Sequence, residues 1–305
     1  MRMTLEQLRI FVEVAERQHL TQAANALALT PSAVSASIRA LEDRYGTPLF
    51  NRVGRRIETN EAGRIFLHEA RGTLASASAA ERTLSELAGL QRGTLNLHAS
   101  QTIASYWLPP LLVQFHQAYP QIDLSLAVGN TQSVTQAVVE GAADLGFVEG
   151  IIDEPALSVA TVGEDRMVVV VASGHPWASG HPWAGGTRQS PTALLAGEWI
   201  MREPGSGTRS AFEVMLTAMG LNPGDLSVAL TLPSNEAVRA AVMAGRFAAM
   251  VSELVVAPYL RAGLLCSVDI DLPPRSFYLL RHNARYQSKA SLALERLIRP
   301  AQSIL

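Results

Sequence analysis

Apolar residues at Leu5, Leu8, Phe11, Val12 and Ala15 recur at helical spacing, so the chain opens on an amphipathic helix. Thr4-Leu-Glu-Gln7 in front of it is a capping-box pattern, in which a hydroxyl takes the third N–H and an amide reaches back. A second short helix is predicted over 21–28, "TQAANALA". The third starts on Thr30 as N-cap, with Pro31 where a missing N–H costs nothing, and ends at Tyr45 before Gly46 and Pro48. "PLFNRVGRRIET" then predicts two short strands around an Arg-flanked Gly turn. From Thr59 to about Ala88 the pattern is helical again, with a stripe of Phe66, Ala70, Thr73, Ala77, Leu84 and Leu87. "GLQRG", residues 89–93, reads as a hinge.

Beyond the hinge strands and helices alternate. "TLNLHAS" precedes "ASYWLPPLLVQFHQAYP", "IDLSLAV" precedes "TQSVTQAVVEG", and "DLGFVEG" follows. A second set begins at "DRMVVVVAS" and runs to about residue 266, after which "SFYLLRH" supplies a strand and "SLALERLIRPAQ" a last helix. Alternation of this kind predicts a mostly parallel sheet covered by helices, an α/β unit behind an α+β one.

Composition narrows the function. A chain of 305 residues with 48% hydrophobic and 17% charged residues is expected to fold throughout, as two or three domains. Acidic residues interrupt the first apolar pattern, so no secretory signal is expected, and no apolar run reaches the roughly 18 residues of a membrane span. The expected location is cytoplasmic. Cys266 is the sole cysteine and Lys289 the sole lysine. No internal disulfide can form, a P-loop lacks its lysine, and a Schiff-base cofactor finds only a lysine in the tail. Residues 1–60 hold eight Arg against six acidic residues, and residues 93–305 hold 13 basic against 17 acidic. That excess is too slight to diagnose a nucleic-acid binder unaided.

The third helix carries the stronger signal. Wound at about 100° per residue, it sets Val34, Ile38 and Leu41 on one face and Ser32, Ser35, Ala36 and Arg39 on the other. A helix that enters a major groove wants short hydroxyl residues near its start and an arginine for the backbone. Thr30, Ser32, Ala33, Ser35 and Arg39 are the candidates, and the alternative is a solvent-exposed face that happens to be short. Arg52, Arg55 and Arg56 on the hairpin would meet phosphates or the minor groove, or simply form a solvated tip.

"LEQLRIFVEVAE", "TQAANALALTPSAVSASIRALEDRYGTPLFNR" and "TNEAGRIFL" resemble the N-terminal signature of LysR-type transcriptional regulators, and the resemblance continues over essentially the whole chain. It implies a winged helix-turn-helix over 1–59, a linker and dimerisation helix with hinge over 60–92, and an effector module over 93–305 similar to periplasmic binding proteins. One lobe would span about 93–161 and 267–305, the other about 162–266. Family members commonly carry Gln, Arg and Gln where this chain has Pro31, Ala36 and Ser37, so the resemblance gives those three no contact role. The implied partners are double-stranded promoter DNA, a small-molecule effector and further copies of the chain, as a dimer and on to a tetramer. An intrachain packed helix is the alternative for 60–88.

In open α/β sheets ligands sit beyond the carboxyl ends of strands, where helix N-termini present free N–H groups. Ser100, Gln101 and Thr102 end the first strand of the module, Asn130 and Thr131 the second, and Gly205-Ser206-Gly207-Thr208-Arg209 opens a helix in the second lobe. Hydroxyls, N-termini and Arg together favour a small anion, although each junction alone could be ordinary capping. "EPGSGTR" matches neither a nucleophile elbow nor a dinucleotide fingerprint. With "ASQTIASYWLP", "VGNTQSVTQAVVEG", "GFVEG" and "SNEAVRAAV" it resembles the LysR branch that governs sulfur assimilation and carbon fixation, especially its sulfite-responsive members. Sulfite or a related oxyanion is therefore the expected effector, with a sugar phosphate or other metabolite acid behind it. Glu149 could pair with Arg202 or Arg209, or accept a hydrogen bond from a bound acid. Asn235 and Glu236 are expected only to border the site.

Two other classes compete. An enzyme acting on a small acid would need a catalytic or cofactor constellation, and neither catalytic residues nor a cofactor is expected here. An exported solute-binding protein would need a signal where the helix-turn-helix stands. The doubled hexapeptide His175-Pro-Trp-Ala-Ser-Gly180, His181-Pro-Trp-Ala-Gly-Gly186 could be a metal or aromatic site. With no third ligand in the loop, no metal is expected, and the reading is a lengthened loop with one Trp packed on the lobe.

Overall fold

The computed structural model describes residues 3–53, 56–87, 93–178, 191–270 and 272–298. The chain divides into two compact units, the first of Met1–Leu90 with Val139–Ala142 and the second of Gln91–Val138 with Ala143–Leu305.

In the first unit, α1 (Leu5–Arg17) carries its capping box: the Thr4 hydroxyl accepts from the Gln7 N–H, and the Gln7 side chain accepts from the Thr4 N–H, both at 3.2 Å. α2 (Leu20–Ala26) stops at Ala26, short of the predicted residue 28, because Ala28 turns left-handed at φ 55°. α3 (Pro31–Tyr45) starts on Thr30, whose hydroxyl accepts from the Ala33 N–H at 3.2 Å, and closes on Gly46 at φ 63°. β1 (Phe50–Val53) and β2 (Arg56–Thr59) pair antiparallel, and α4 (Glu61–Leu87) follows. The Phe11 ring lies 5.4 Å from Phe50 and 4.7 Å from Phe66, so one aromatic knot ties α1, the hairpin and α4. The predicted stripe of α4 is thereby split. Phe66 and Ala70 are packed into this core, whereas Thr73 and Leu84 are exposed.

The second unit starts with β3 (Gly93–Ser100), which runs into a helix through a π turn at Ile103–Trp107 and on into α5 (Leu108–Ala118). β4 (Ile122–Gly129), α6 (Thr131–Glu140), β5 (Leu145–Glu149) and β6 (Leu157–Asp165) complete the outgoing part of the first lobe. The second lobe holds β7 (Met167–Ala172), β8 (Glu198–Arg202), α7 (Gly207–Ala218), β9 (Ser227–Leu232), α8 (Asn235–Ala244), β10 (Ala248–Ser252), α9 (Glu253–Arg261) and β11 (Leu265–Ser267). β12 (Arg275–His282) and α10 (Lys289–Ile298) return to the first lobe.

The sheets are mixed, not mostly parallel as alternation predicts. Their orders are β4-β3-β5-β12-β6 and β11-β7-β10-β8-β9. In the first sheet β3 pairs parallel with β4 and β5, while β12 pairs antiparallel with β5 and β6. In the second, β8 pairs parallel with β9 and β10, while β7 pairs antiparallel with β10 and β11. The antiparallel members, β6, β7, β11 and β12, are the strands that carry the chain between lobes. The crossovers accordingly fall at Arg166 and between β11 and β12, later than the boundaries near 161 and 266 expected from sequence. Each lobe has its own core, built on Phe147 and Phe277 in the first and on Trp199 and Phe212 in the second.

Candidate functional site

On the first unit, α3 buries Val34, Ile38 and Leu41 and leaves Thr30, Ser32, Ala33 and Arg39 exposed, with Ser35 half-buried. The Thr30 and Ser32 hydroxyls lie 3.0 Å apart, and the Arg39 Nε donates to the Ser35 carbonyl at 3.3 Å. Short side chains on this face let the helix backbone approach a groove closely. The Glu42 carboxylate, near the end of α3, accepts from the Leu49 N–H at 2.7 Å and the Phe50 N–H at 3.2 Å. Arg56 is exposed at the start of β2, Arg52 lies on β1, and Arg55 falls outside the described residues.

On the second unit, the three polar junctions come together where the two lobes face each other. β3 ends on Ser100, whose buried hydroxyl donates to the Glu149 carboxylate. The Thr131 hydroxyl, at the start of α6, donates to the Glu149 carbonyl. The first turn of α7 lies against the same residue: a Cβ at Gly207 would stand 2.1 Å from that carbonyl, so only glycine fits. Gln132 donates its N–H to the Gly205 carbonyl at 3.3 Å, and the Asn130 amide donates to Glu203 at 3.3 Å.

Asn235 stands in the centre of this cluster, not at its border as the sequence predicts. It is fully buried. Its amide nitrogen donates to the Thr102 hydroxyl at 3.0 Å, its backbone N–H to the Gln101 side-chain oxygen at 2.7 Å, and its amide oxygen accepts from Arg202. Gln101 also donates to Glu236, which accepts from the Tyr106 hydroxyl at 3.0 Å. Burial, and next the Glu236 carboxylate, raise the Tyr106 phenol above its ordinary range. Residues of both lobes thus share one hydrogen-bonded network.

The partner of Glu149 is neither Arg202 nor Arg209. It is Arg275, with Nη1 3.4 Å from the carboxylate. The same guanidinium binds Asp165 through Nε at 3.2 Å and through Nη2, and donates to the Thr208 hydroxyl at 3.1 Å. Asp165 also accepts from Ser252 at 2.8 Å. Arg202 instead clasps its neighbour Glu203 at 2.8 and 2.9 Å, and Arg209 pairs with Glu213 at 2.8 Å along its own helix. Arg202, Arg209 and Arg275 are thus each matched by a carboxylate, and a further anion beside them would rely on hydroxyls and N–H groups.

Those groups exist at the start of α7. Ser206, its N-cap, is 3% exposed, and its hydroxyl finds no partner among the described residues. Beside it are the N–H groups of the first helical turn, which no helical carbonyl can satisfy. Sequence reading missed Arg275, Asp165 and Ser252, although a charged residue that opens the otherwise apolar run "FYLL" was the available signal for Arg275.

The first copy of the doubled hexapeptide packs on the second lobe. Trp177 packs 6.0 Å from the Trp199 ring, and His175 stacks edge-on to it at 5.3 Å. A Cβ at Gly197 would lie 2.2 Å from the Trp177 ring. Among the described residues no group of three His, Cys, Asp or Glu could hold a metal ion. Residues 181–186 lie outside the described residues.

Residues 5–64 match the family model described as a bacterial regulatory helix-turn-helix protein of the lysR family, and residues 88–303 match the LysR substrate binding domain. The chain belongs to the LysR family of transcriptional regulators. This LysR-type regulator is a DNA-binding protein with an effector-binding domain, and not an enzyme. It is 36% identical over 298 residues to an uncharacterized HTH-type transcriptional regulator, YeiE of Escherichia coli K12, with 95% of each chain covered. Its fold is similar to that of full-length CbnR complexed with target DNA, at TM-score 0.69 and 20% identity over 98% of this chain and 100% of that one. The regulatory domain of Synechocystis PCC6803 CcmR in complex with 2-PG is 28% identical, at TM-score 0.61, over 70% of this regulator and 99% of that chain. No described helix is long and apolar enough to cross a membrane.

Proposed function

We propose that the regulator is a cytoplasmic homo-oligomer whose grip on promoter DNA changes when a small oxyanion enters the cleft between the lobes of its second unit. The observation that carries the anion is the buried, unpartnered Ser206 hydroxyl beside the open N–H groups of α7. Ser100, Gln101, Thr102, Asn130, Thr131, Gly207, Thr208 and Arg209 would complete the site. Of the sulfite forms, bisulfite, which keeps a proton to donate to Glu149, suits a site where Arg202, Arg209 and Arg275 are already paired. A metabolite phosphate is the second reading, favoured by the CcmR regulatory domain complex with 2-PG. Closure of the lobes would use the hydrogen bonds that already join them, and the effector would bias one assembly geometry over another.

On DNA, Thr30, Ser32, Ala33 and Ser35 would face base edges and phosphates in the major groove, with Arg39 on the backbone and Arg52, Arg55 and Arg56 along the adjacent groove. An electrophoretic shift with the DNA upstream of its own gene is expected, and loss of that shift in Ser32→Ala/Arg39→Ala. Failure to shift any promoter fragment overturns the DNA half. A thermal-shift panel of sulfite, sulfate, thiosulfate, phosphate and sugar phosphates tests the other half, because a native-state ligand raises stability by mass action. One stabiliser is expected, and Ser100→Ala or Thr208→Val should abolish its effect. A shift that survives both substitutions overturns the cleft.

A further inference from the structure

The second unit holds a cavity of about 660 Å³ that the polar cluster does not use. Ligand pockets run from roughly 300 to 1,000 Å³, so this one is large enough for a small organic molecule. Both lobes build it. The loop after β5 supplies Ile151, α7 supplies Val214, Met215 and Met219, and the strands behind them supply Met167 and Met250.

Its chemistry differs from that of the cleft. Met167, Met215 and Met250 are buried, whereas Ile151 is 70% and Val214 50% exposed, so a sealed apolar floor is rimmed by apolar side chains in water. Four of the chain's eight methionines lie here, and unbranched thioethers remould around ligands of irregular shape. Arg275 borders the cavity, but Asp165, Glu149 and Thr208 already take up its guanidinium. Two carboxylates against one cation give a bound anion no counter-charge. What remains for polar contact is Ser276 and Tyr278, whose hydroxyls have no partner among the described residues.

We propose that this cavity is a second ligand site, separate from the polar cleft, for an uncharged molecule with an aromatic or branched aliphatic body and one hydrogen-bonding group. The ligand's body lies on the methionine floor under Val214 and Ile151, and its polar atom meets Ser276 or Tyr278. This inference stands whether or not the cleft takes an oxyanion.

The test uses the full chain labelled with ¹³C at the methionine methyls, titrated with indole as the neutral probe and benzoate as a charged one of similar bulk. Indole is expected to shift Met167, Met215, Met219 and Met250 saturably while Met201 and Met243 stay still, and benzoate to shift them less. Val214→Trp fills the mouth from a half-exposed position and should remove the shifts. Ile151→Trp, at a more exposed position still, repeats the test from the opposite wall. Equal drift of all methionines, no shift, or shifts unchanged by both tryptophans overturns the proposal. So does dissociation of the oligomer by Val214→Trp in sedimentation, because the face is then covered by a second copy of the chain.

Discussion

Arg275, the first residue of β12, and Asp165, the last of β6, are backbone register partners and are also joined guanidinium to carboxylate. The two strands that carry the chain between lobes are therefore clamped at the point of crossing. Arg275→Met would leave Asp165 and Glu149, 4% and 2% exposed, buried without a counter-charge. Breaking such a pair costs about 3–5 kcal/mol. Urea unfolding is expected to show that loss in Arg275→Met and a partial recovery in Arg275→Met/Asp165→Asn. Equal stability of wild type and single variant would refute the clamp.

In the proposed oxyanion site, Glu149 would set the choice among anions. A fully deprotonated oxyanion beside this carboxylate meets like charge, whereas one that keeps a proton can donate it. Glu149→Gln retains an acceptor for Ser100 and removes the repulsion. Calorimetric titration is expected to show sulfate binding strengthened relative to sulfite in the variant. An unchanged ratio would remove Glu149 from selectivity.

The two copies of the hexapeptide are unequal. Trp177 fills the lobe core between His175, Gly197 and Trp199, so Trp177→Ala is expected to cost about 3–5 kcal/mol. Deleting residues 181–186 is expected to leave the melting temperature, the DNA shift and the ligand response as they were. A deletion that melts like Trp177→Ala would show that the second copy is structural too.

His98, on β3, has its pKa lowered from the ordinary 6.5 by burial. The fold therefore prefers the neutral ring. The stability tied to that preference is complete above the ordinary value and drains away as pH falls below it, because the unfolded chain takes up the proton first. His98→Gln should flatten the acid limb of a melting-temperature profile between about pH 8 and pH 5. His282 shifts in the same direction, by burial and then by Arg285, so the limb should not vanish. A variant with the wild-type profile would rule out His98 as its source.

The helix ends were legible because single residues decide them: Thr4 and Thr30 cap, Pro31 starts and Gly46 stops. The polar junctions were legible for a similar reason, since short hydroxyl residues at strand ends have few other uses. What the linear pattern could not show was pairing at long range. Arg275 lies 110 positions from Asp165, and although its place at the head of an apolar run marks it out, nothing local names its partner. Asn235 looked like an ordinary first-turn residue until Thr102, 133 positions earlier, was brought to its amide. The sheets' antiparallel halves escaped notice likewise, because the crossing strands have the same apolar runs as the parallel ones. Leu84, on the stripe read as a dimerisation face, is 68% exposed within this chain.

Glu42 takes two backbone N–H groups at the head of the hairpin and so fastens β1 to the last turns of α3. Reading head and basic arm then travel as one fixed gauge. If α3 enters a groove and the hairpin reaches phosphates as proposed, the distance between them is set by the protein before any DNA arrives, and a duplex whose grooves do not match that span would have to bend or be passed over.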